Sequence, residues 1–266
     1  MKNRKLSAHN LAVNCGLDVS KSTISNHLHN AGIYSYTAVQ KPFISAKNQR
    51  KRLSWCKEHS QWDVMPEWGS IIWSDEASVE IGRSSSQELV WRKPGERYNL
   101  NCIKPTFKSG CKSIMIWGCF VGDRLGPLVF CEGNMNSDKY IKILNEHLKE
   151  FKASIENEWD MTLTFQEDNA AIHVSNKTKK WKEENNIACL PWPAQSPDLN
   201  PIENLWKVLK DNVQKKKRFP RTVAELKVAL NEEWSKLSPA LLFKLIDSMP
   251  KRVKMVLEAK GGPTKY

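Results

Sequence analysis

The chain reads as a mixed α/β protein in which helices pack on a mixed β-sheet, preceded by a small all-α segment. Three observations lead there. Apolar, β-branched runs crowd residues 70–131, with glycine and proline between them. From residue 137 onward, short strand candidates alternate with helix-periodic stretches, the order expected of a sheet covered by helices. Residues 6–33 hold two short helical patterns around a glycine.

The N-terminal pair comes first. Leu6–Val13 is a short apolar-periodic run that stops at Gly16. Ser20 suits an N-cap, Ile24 and Leu28 fall on one face behind it, and Gly32 supplies a stop. A helix, a glycine turn and a second helix with a polar face form the pattern of a helix-turn-helix over residues 1–33. Its polar face offers Lys21, Ser22, Ser25, Asn26 and His29 to phosphates or base edges in a major groove. An ordinary helical hairpin would show the same pattern. Residues 34–69 read as a linker around Pro42 followed by a basic helix, in which Arg50, Lys51 and Arg52 are further candidates for DNA contact.

The larger domain spans residues 70–266. Its strand candidates are Ser70–Ile81, Glu88–Arg92, Ser113–Val121 and Pro127–Cys131. A helix is expected over Ser137–Phe151, with Ile141, Leu144, Leu148 and Phe151 on one face. Leu163–Gln166 is a short strand running into Asp168. A helix at 174–185, a short strand at Ile187–Leu190 and a helix at 202–218 follow, and helices at about 222–237 and 239–259 close the chain.

Charge is divided unevenly along the 266 residues. Residues 1–60 hold ten Lys and Arg against Asp18 and Glu58; residues 61–203 hold sixteen basic against twenty-one acidic; residues 204–266 hold fifteen against six. Two basic ends therefore flank an acidic centre. Basic surfaces favour polyanions, because each neutralised phosphate releases counterions, and an acidic centre suits divalent cations held beside the polyanion. The tract Lys215–Arg218, with Arg221 behind it, fits DNA binding, a nuclear signal or a solvated helix end. No apolar run approaches the roughly 20 residues that span a bilayer, so no membrane partner is expected. The basic start after Met1 does not resemble a secretory signal. Seven cysteines without a C-x-x-C pair point away from a disulfide framework or a zinc site.

Three acidic residues stand where chemistry can use them. Asp75 interrupts an apolar strand, where a charge is costly without a cation or hydrogen-bond partners. Asp168 follows a strand end, beside Asn169. Glu203 lies in Ser196-Pro197-Asp198-Leu199-Asn200-Pro201-Ile202-Glu203-Asn204. Strand ends and helix starts can bring distant carboxylates to one edge of a sheet, and three carboxylates can hold two Mg²⁺ ions that clamp the entering and leaving oxygens of a phosphodiester. Each residue also has a purely structural reading. Asp75 can end a strand, and Asp168 can form a turn with Asn169. With Asn200 as N-cap and Pro201 at N1, Glu203 falls at N3 and completes a capping box.

At this point the residues resemble a known family. Ser196–Asn204 is similar to the signature around the third catalytic acid of mariner-superfamily transposases (the Tc/mariner type). Trp73-Ser74-Asp75-Glu76 is similar to the segment around their first acid, and Asp168-Asn169 followed by His173 to that around the second. Thirty-four residues separate Asp168 from Glu203, the spacing of the branch with two aspartates and a glutamate. Trp91–Gly95, Met115–Phe120 and the terminal Ala259–Tyr266 also resemble family segments, so the likeness runs from about residue 6 to the C-terminus.

The resemblance implies a ribonuclease H-like catalytic domain with Asp75, Asp168 and Glu203 as catalytic metal ligands. It implies Mg²⁺ or Mn²⁺, as two ions, as cofactor. It also implies cut-and-paste movement of DNA between terminal inverted repeats and a TA target, a homodimer or higher assembly on DNA, and action in the nucleus. Asn169 and His173 are expected to support the site, His173 first as a turn-stabilising residue, and Asp198 to shape the turn before the helix. Family members usually carry two helix-turn-helix units joined by a Gly-Arg-rich hook. One unit is legible here and no hook lies between Ile33 and Lys47, which predicts a copy lacking the first unit or a true start upstream of Met1. The proline that often precedes the histidine is absent from Glu167–His173. A rival reading is a transposase-derived DNA-binding protein without catalysis, for which three converging carboxylates would have no use. A different ribonuclease H-like nuclease would not need the mariner-like C-terminal segments.

Overall fold

A computed structural model describes residues 7–34, 43–81, 113–216 and 220–266. The chain forms two compact units, Met1–Lys41 and Pro42–Tyr266. In the smaller, α1 (Ala8–Asn14) and α2 (Lys21–Asn30) are capped by Ser7 and Ser20, whose hydroxyls accept from the amides of Asn10 and Thr23. Gly16 and Gly32 follow the two helices at φ +65° and +71°, the left-handed region that a helix stop requires. Lys21, Ser22, Asn26 and His29 are exposed and Ser25 half-buried. The Ser22 hydroxyl is already bonded to that of Ser20 at 2.7 Å, and His29 stacks on Tyr34 at 5.2 Å.

The larger unit is built on four strands among the described residues: β1 (Ile71–Glu80), β2 (Ser113–Val121), β3 (Arg124–Cys131) and β4 (Thr164–Gln166). Their order is β3-β2-β1-β4. β1 runs antiparallel to β2 and parallel to β4. The mixed sheet and its flanking helices match the expected α/β class. The strand candidate Glu88–Arg92 lies outside the described residues. Ile187–Leu190, expected as a strand, makes a single parallel bridge between Cys189 and Phe165.

The sheet is buried on both faces, because side chains alternate along each strand. Odd-numbered β1 residues Ile71, Trp73, Ala77 and Val79 join a core with α7 (Ile202–Lys215), α8 (Val223–Ser235), α9 (Pro239–Asp247) and α10 (Met249–Glu258). Ile72 joins a second core with α4 (Ser137–Ile143), the π-helical turn Leu144–Leu148 and α5 (Lys149–Trp159). α6 (Asn176–Glu184) packs against α4. On α7, Ile202, Leu205, Trp206, Leu209 and Val213 are all buried, a stripe at helical spacing in which each large side chain contributes about 1.5–3 kcal/mol.

Two helix expectations change. The helix expected over 239–259 breaks at Ser248, because Pro250 has no amide hydrogen to donate and its ring meets the carbonyl one turn back. The helix expected over 137–151 runs on to Trp159 and stops at Asp160, which takes a left-handed φ of 49°.

α3 (Ala46–Glu58) belongs to the larger unit, and this corrects one expectation about its basic residues. Arg50 and Lys51 are exposed, but Arg52 is fully buried and pairs with Asp198 at 2.7 Å. A guanidinium so placed cannot reach a phosphate. The positive charge suggested DNA, whereas the helical phase of α3 turns Arg52 inward beside Trp55 and Cys56. Trp55, Trp62, Trp68 and Trp73 pack with Trp192 into an aromatic cluster that joins α3 to the start of β1.

Candidate active site

Three segments meet at one end of the sheet. β1 carries Asp75 on the face toward α7 and Glu76 on the opposite face. The loop after β4 carries Asp168, Asn169 and His173, and α7 opens with Glu203 in its first turn. Asp75, Asp168 and Glu203 line one cavity of about 380 Å³, with Asn169, Trp192 and Gln195 among the other walls. Among the described residues, no three carboxylate, imidazole or thiol groups are drawn close enough to form a ready-made metal cluster.

Each carboxylate is fixed differently. Asp75 is half-buried, and its Oδ2 accepts a hydrogen bond from Trp206 Nε1 at 3.2 Å. Burial first, then the neighbouring charges of Glu203, Glu76 and Asp168, push its pKa up to about 8. Asp168 is exposed. Its Oδ1 is 2.8 Å from His173 Nδ1 and accepts from the Ala170 amide at 2.8 Å. The His173 bond holds Asp168 below the ordinary carboxylate range against the opposing effect of burial. Glu203 opens to solvent on one side. The packed side raises its pKa, with Lys210 opposing and Asp168 adding to the rise.

His173 does more than stabilise a turn. It is buried, and its Nε2 reaches Glu76 Oε1 at 3.2 Å while Nδ1 holds Asp168. Burial alone disfavours the imidazolium, but the bonds to Asp168 and Glu76 outweigh it and bring the pKa to about 10. Below His173, Tyr140 donates to Glu167 Oε2 at 2.6 Å, and Lys182 pairs with Glu167 Oε1. This buried network supports the loop that carries Asp168. Asn169 turns its amide outward to the Trp192 carbonyl at 2.8 Å, bracing the cavity wall.

The capping box expected at Glu203 is not formed among the described residues. Asn200 Oδ1 accepts from the Ile202 amide at 3.3 Å, while its Nδ2 donates to the Ser74 carbonyl at 3.2 Å. The α7 start is thereby tied to the residue before Asp75. Glu203 makes no return bond to the Asn200 amide, which leaves its carboxylate facing the cavity.

Sequence reasoning passed over Glu76, the donor role of Trp206, and Gln195. Adjacent acids in an apolar strand were the available signal for Glu76, since alternation sends one to each face. Trp206 gave no signal apart from its place on the apolar stripe of α7.

The chain matches the family described as DDE superfamily endonuclease over residues 70–227, and a family described as Transposase over residues 1–61. It is 36% identical to the Transposable element Tcb1 transposase of Caenorhabditis briggsae over 93% of this chain and 88% of that one. Identity to the Tc1 transposase of Caenorhabditis elegans is also 36%, over the same shares. Among solved structures, the Mos1 mariner paired-end complex with Mn aligns with a TM-score of 0.79 at 17% identity, covering 98% of this chain and 76% of that chain. The isolated catalytic domain of Mos1 aligns at 0.65 and 16% identity, over 85% of this chain and all of that one. The fold is therefore that of the ribonuclease H-like transposase domain. With sequence relationship across nearly its whole length and a matching catalytic fold, the chain belongs to the Tc1/mariner-type DDE transposases.

Proposed function

We propose that this transposase excises and integrates DNA by metal-dependent strand transfer, with Asp75, Asp168 and Glu203 as the carboxylates that hold Mg²⁺ or Mn²⁺. The observation that carries this reading is that all three line one cavity although they come from a strand, a loop and a helix. The donor set fits a hard divalent cation. It consists of oxygen ligands, and burial first and then the neighbouring acids disfavour full ionisation of Asp75 until a cation offsets them. Two ions, when bound, would activate a water or 3′-hydroxyl and stabilise the leaving 3′-oxygen in line.

The chain's own residues then position and exclude. Trp206 fixes one oxygen of Asp75, and His173 fixes one oxygen of Asp168, so that neither carboxylate must lose rotamer freedom during the reaction. Trp192 and the adjoining Pro193 and Ala194 wall the cleft on one side. Double-stranded DNA is the partner in this reading: transposon terminal inverted repeats and a TA-type target. Lys21, Asn26 and His29 of the smaller unit, together with Arg50 and Lys51, serve as contacts. A homodimeric or higher assembly on DNA completes this reading, and the structurally similar Mos1 transposase has been solved as a paired-end complex. Action in the nucleus belongs to the same proposal.

The test is joining of pre-cleaved DNA ends in Mg²⁺ or Mn²⁺, comparing wild type with Glu203→Gln. Metal-dependent joining that the variant loses supports the reading. DNA binding without joining under either metal would count in favour of a binder.

A further inference from the structure

Three to six residues beyond the end of α10, the chain makes contacts that the carboxylate constellation does not explain. Asp198, buried in the turn before α7, accepts both Arg52 Nη1 and Nη2 at 2.7 Å, and its Oδ2 also takes the Thr264 hydroxyl at 2.9 Å and the Thr264 amide at 3.3 Å. Arg52 continues to the carbonyls of Gly261 at 3.0 Å and Gly262 at 3.2 Å. Arg252 completes the arrangement, donating to the Asp198 carbonyl at 2.8 Å and to Asn204 Oδ1 at 2.6 Å. The tail can lie here only because residue 261 is glycine. Its φ is +82°, and a Cβ would sit 2.1 Å from the Gln49 carbonyl oxygen.

We propose that the C-terminal tail is a positioning device for the active site, in which Thr264 and Arg52 act through Asp198 to set the place of Glu203. This rests on the reading of Glu203 as a metal-holding carboxylate. The Glu203 side chain has no hydrogen-bond partner among the described residues, and α7 begins without a side-chain cap at Pro201. Its position is therefore inherited from the backbone of residues 198–204, which is held at Asp198 on one side of Glu203 and at Asn204 on the other. Buried, bidentate ion pairs add little net stability over apolar packing of the same shape, because both charges must be desolvated. What they supply is directional geometry. A hydrophobic plug would have closed the same space without fixing the turn.

The experiment uses the full chain and the substitutions Thr264→Val, Thr264→Ser and Asp198→Asn, with Glu203→Gln beside them. Four quantities are read: backbone amide exchange at residues 199, 200 and 202–204, DNA affinity, the melting temperature, and the single-turnover rate of joining pre-cleaved ends at saturating DNA in Mn²⁺. Thr264→Val and Asp198→Asn are expected to speed exchange in 199–204 and lower the joining rate by roughly tenfold, the scale of a misplaced ligand. In Thr264→Val, DNA affinity and the melting temperature stay at wild-type values, and Thr264→Ser keeps both exchange and rate; Asp198→Asn also lowers the melting temperature, because it strands the buried Arg52 guanidinium. Unchanged joining in Thr264→Val while Glu203→Gln is inactive overturns the clasp alone. In Thr264→Val, rate loss that tracks a lowered melting temperature and is shared by Thr264→Ser also overturns it. Wild-type joining by Glu203→Gln overturns the site reading and this inference with it.

Discussion

His173 Nδ1 lies 2.8 Å from Asp168 Oδ1, so a fully enclosed imidazole holds an exposed carboxylate at the mouth of the cavity. The opposite ring nitrogen is taken by Glu76, which reaches it from the other face of β1. One ring thus ties the loop after β4 to its neighbouring strand β1. Because both nitrogens face carboxylates, the doubly protonated ring is the species that satisfies both bonds.

A pH dependence follows for the metal-free protein. His173 is raised from its ordinary 6.5 to about 10 in the folded chain, so its contribution to stability is full below pH 6.5 and fades as pH rises through about 10. Asp168, held below its ordinary value, contributes above about pH 4 and loses that contribution as acid protonates it. The stability gap between wild type and His173→Gln should be widest near pH 6 and close by pH 10, read by denaturant unfolding in chelator. Joining activity of His173→Gln should fall roughly 10–100-fold, as for other residues that orient a ligand. A gap that stays constant across this range would rule out the ion-paired ring.

Asp75 is shifted in the direction opposite to Asp168. Its pKa is raised from 3.8 to about 8, so the folded chain binds an extra proton across that window and loses stability as pH climbs through it. Asp75→Asn keeps an oxygen for Trp206 Nε1 and removes the charge. It should therefore stabilise the metal-free protein by roughly 1–2 kcal/mol at pH 8, more than at pH 5. Mn²⁺ should raise the melting temperature of wild type at pH 8 and have little effect on the variant. A wild-type melting temperature that ignores Mn²⁺ would count against the cavity as a cation site.

The three basic residues of α3 separate by burial. Arg50→Ala and Lys51→Ala, both exposed, should each reduce the salt dependence of DNA binding by about one unit of log–log slope and leave folding intact. Arg52→Ala should leave that slope unchanged and cost about 3–5 kcal/mol, because it strands the buried Asp198 carboxylate. Affinity measured at several salt concentrations, alongside chemical unfolding, distinguishes the two kinds of residue.

These contrasts show where sequence reasoning reached. Asp75, Asp168 and Glu203 were legible because each breaks a local pattern, an acid in an apolar strand or at an element's edge, and because the spacing between the last two matches a family. The α/β alternation was legible from period alone. Arg52 was misread because charge is visible in a sequence while helical phase relative to a distant Asp198 is not. Glu76 was passed over for a related reason: its partner His173 lies 97 residues away, and only the packing of the β4 loop against the far face of β1 joins them. The capping-box reading of Glu203 failed because Asn200 divides its amide between the helix start and the Ser74 carbonyl, a bond no local rule anticipates.

Gly118 offers the last test, one of packing that reaches the site through an indole. It sits opposite Asp75 in the β1–β2 register, and a Cβ there would meet Trp206 Cη2 at 2.8 Å and Trp234 Cη2 at 3.1 Å. The two indoles stack at 5.3 Å across this gap, so neither can yield without moving the other. Trp234 is further held by its Nε1 bond to the Gly126 carbonyl at 2.9 Å. Trp206 must therefore take up the displacement, and its Nε1 is the donor to Asp75. Gly118→Ala is expected to cost about 1–3 kcal/mol from overpacking and to shift the fluorescence of the buried indoles. It should also slow joining more than Cys119→Ala, a change in the same strand that leaves the indoles untouched. Equal joining rates in the two variants would show that Asp75 does not depend on the Trp206 bond.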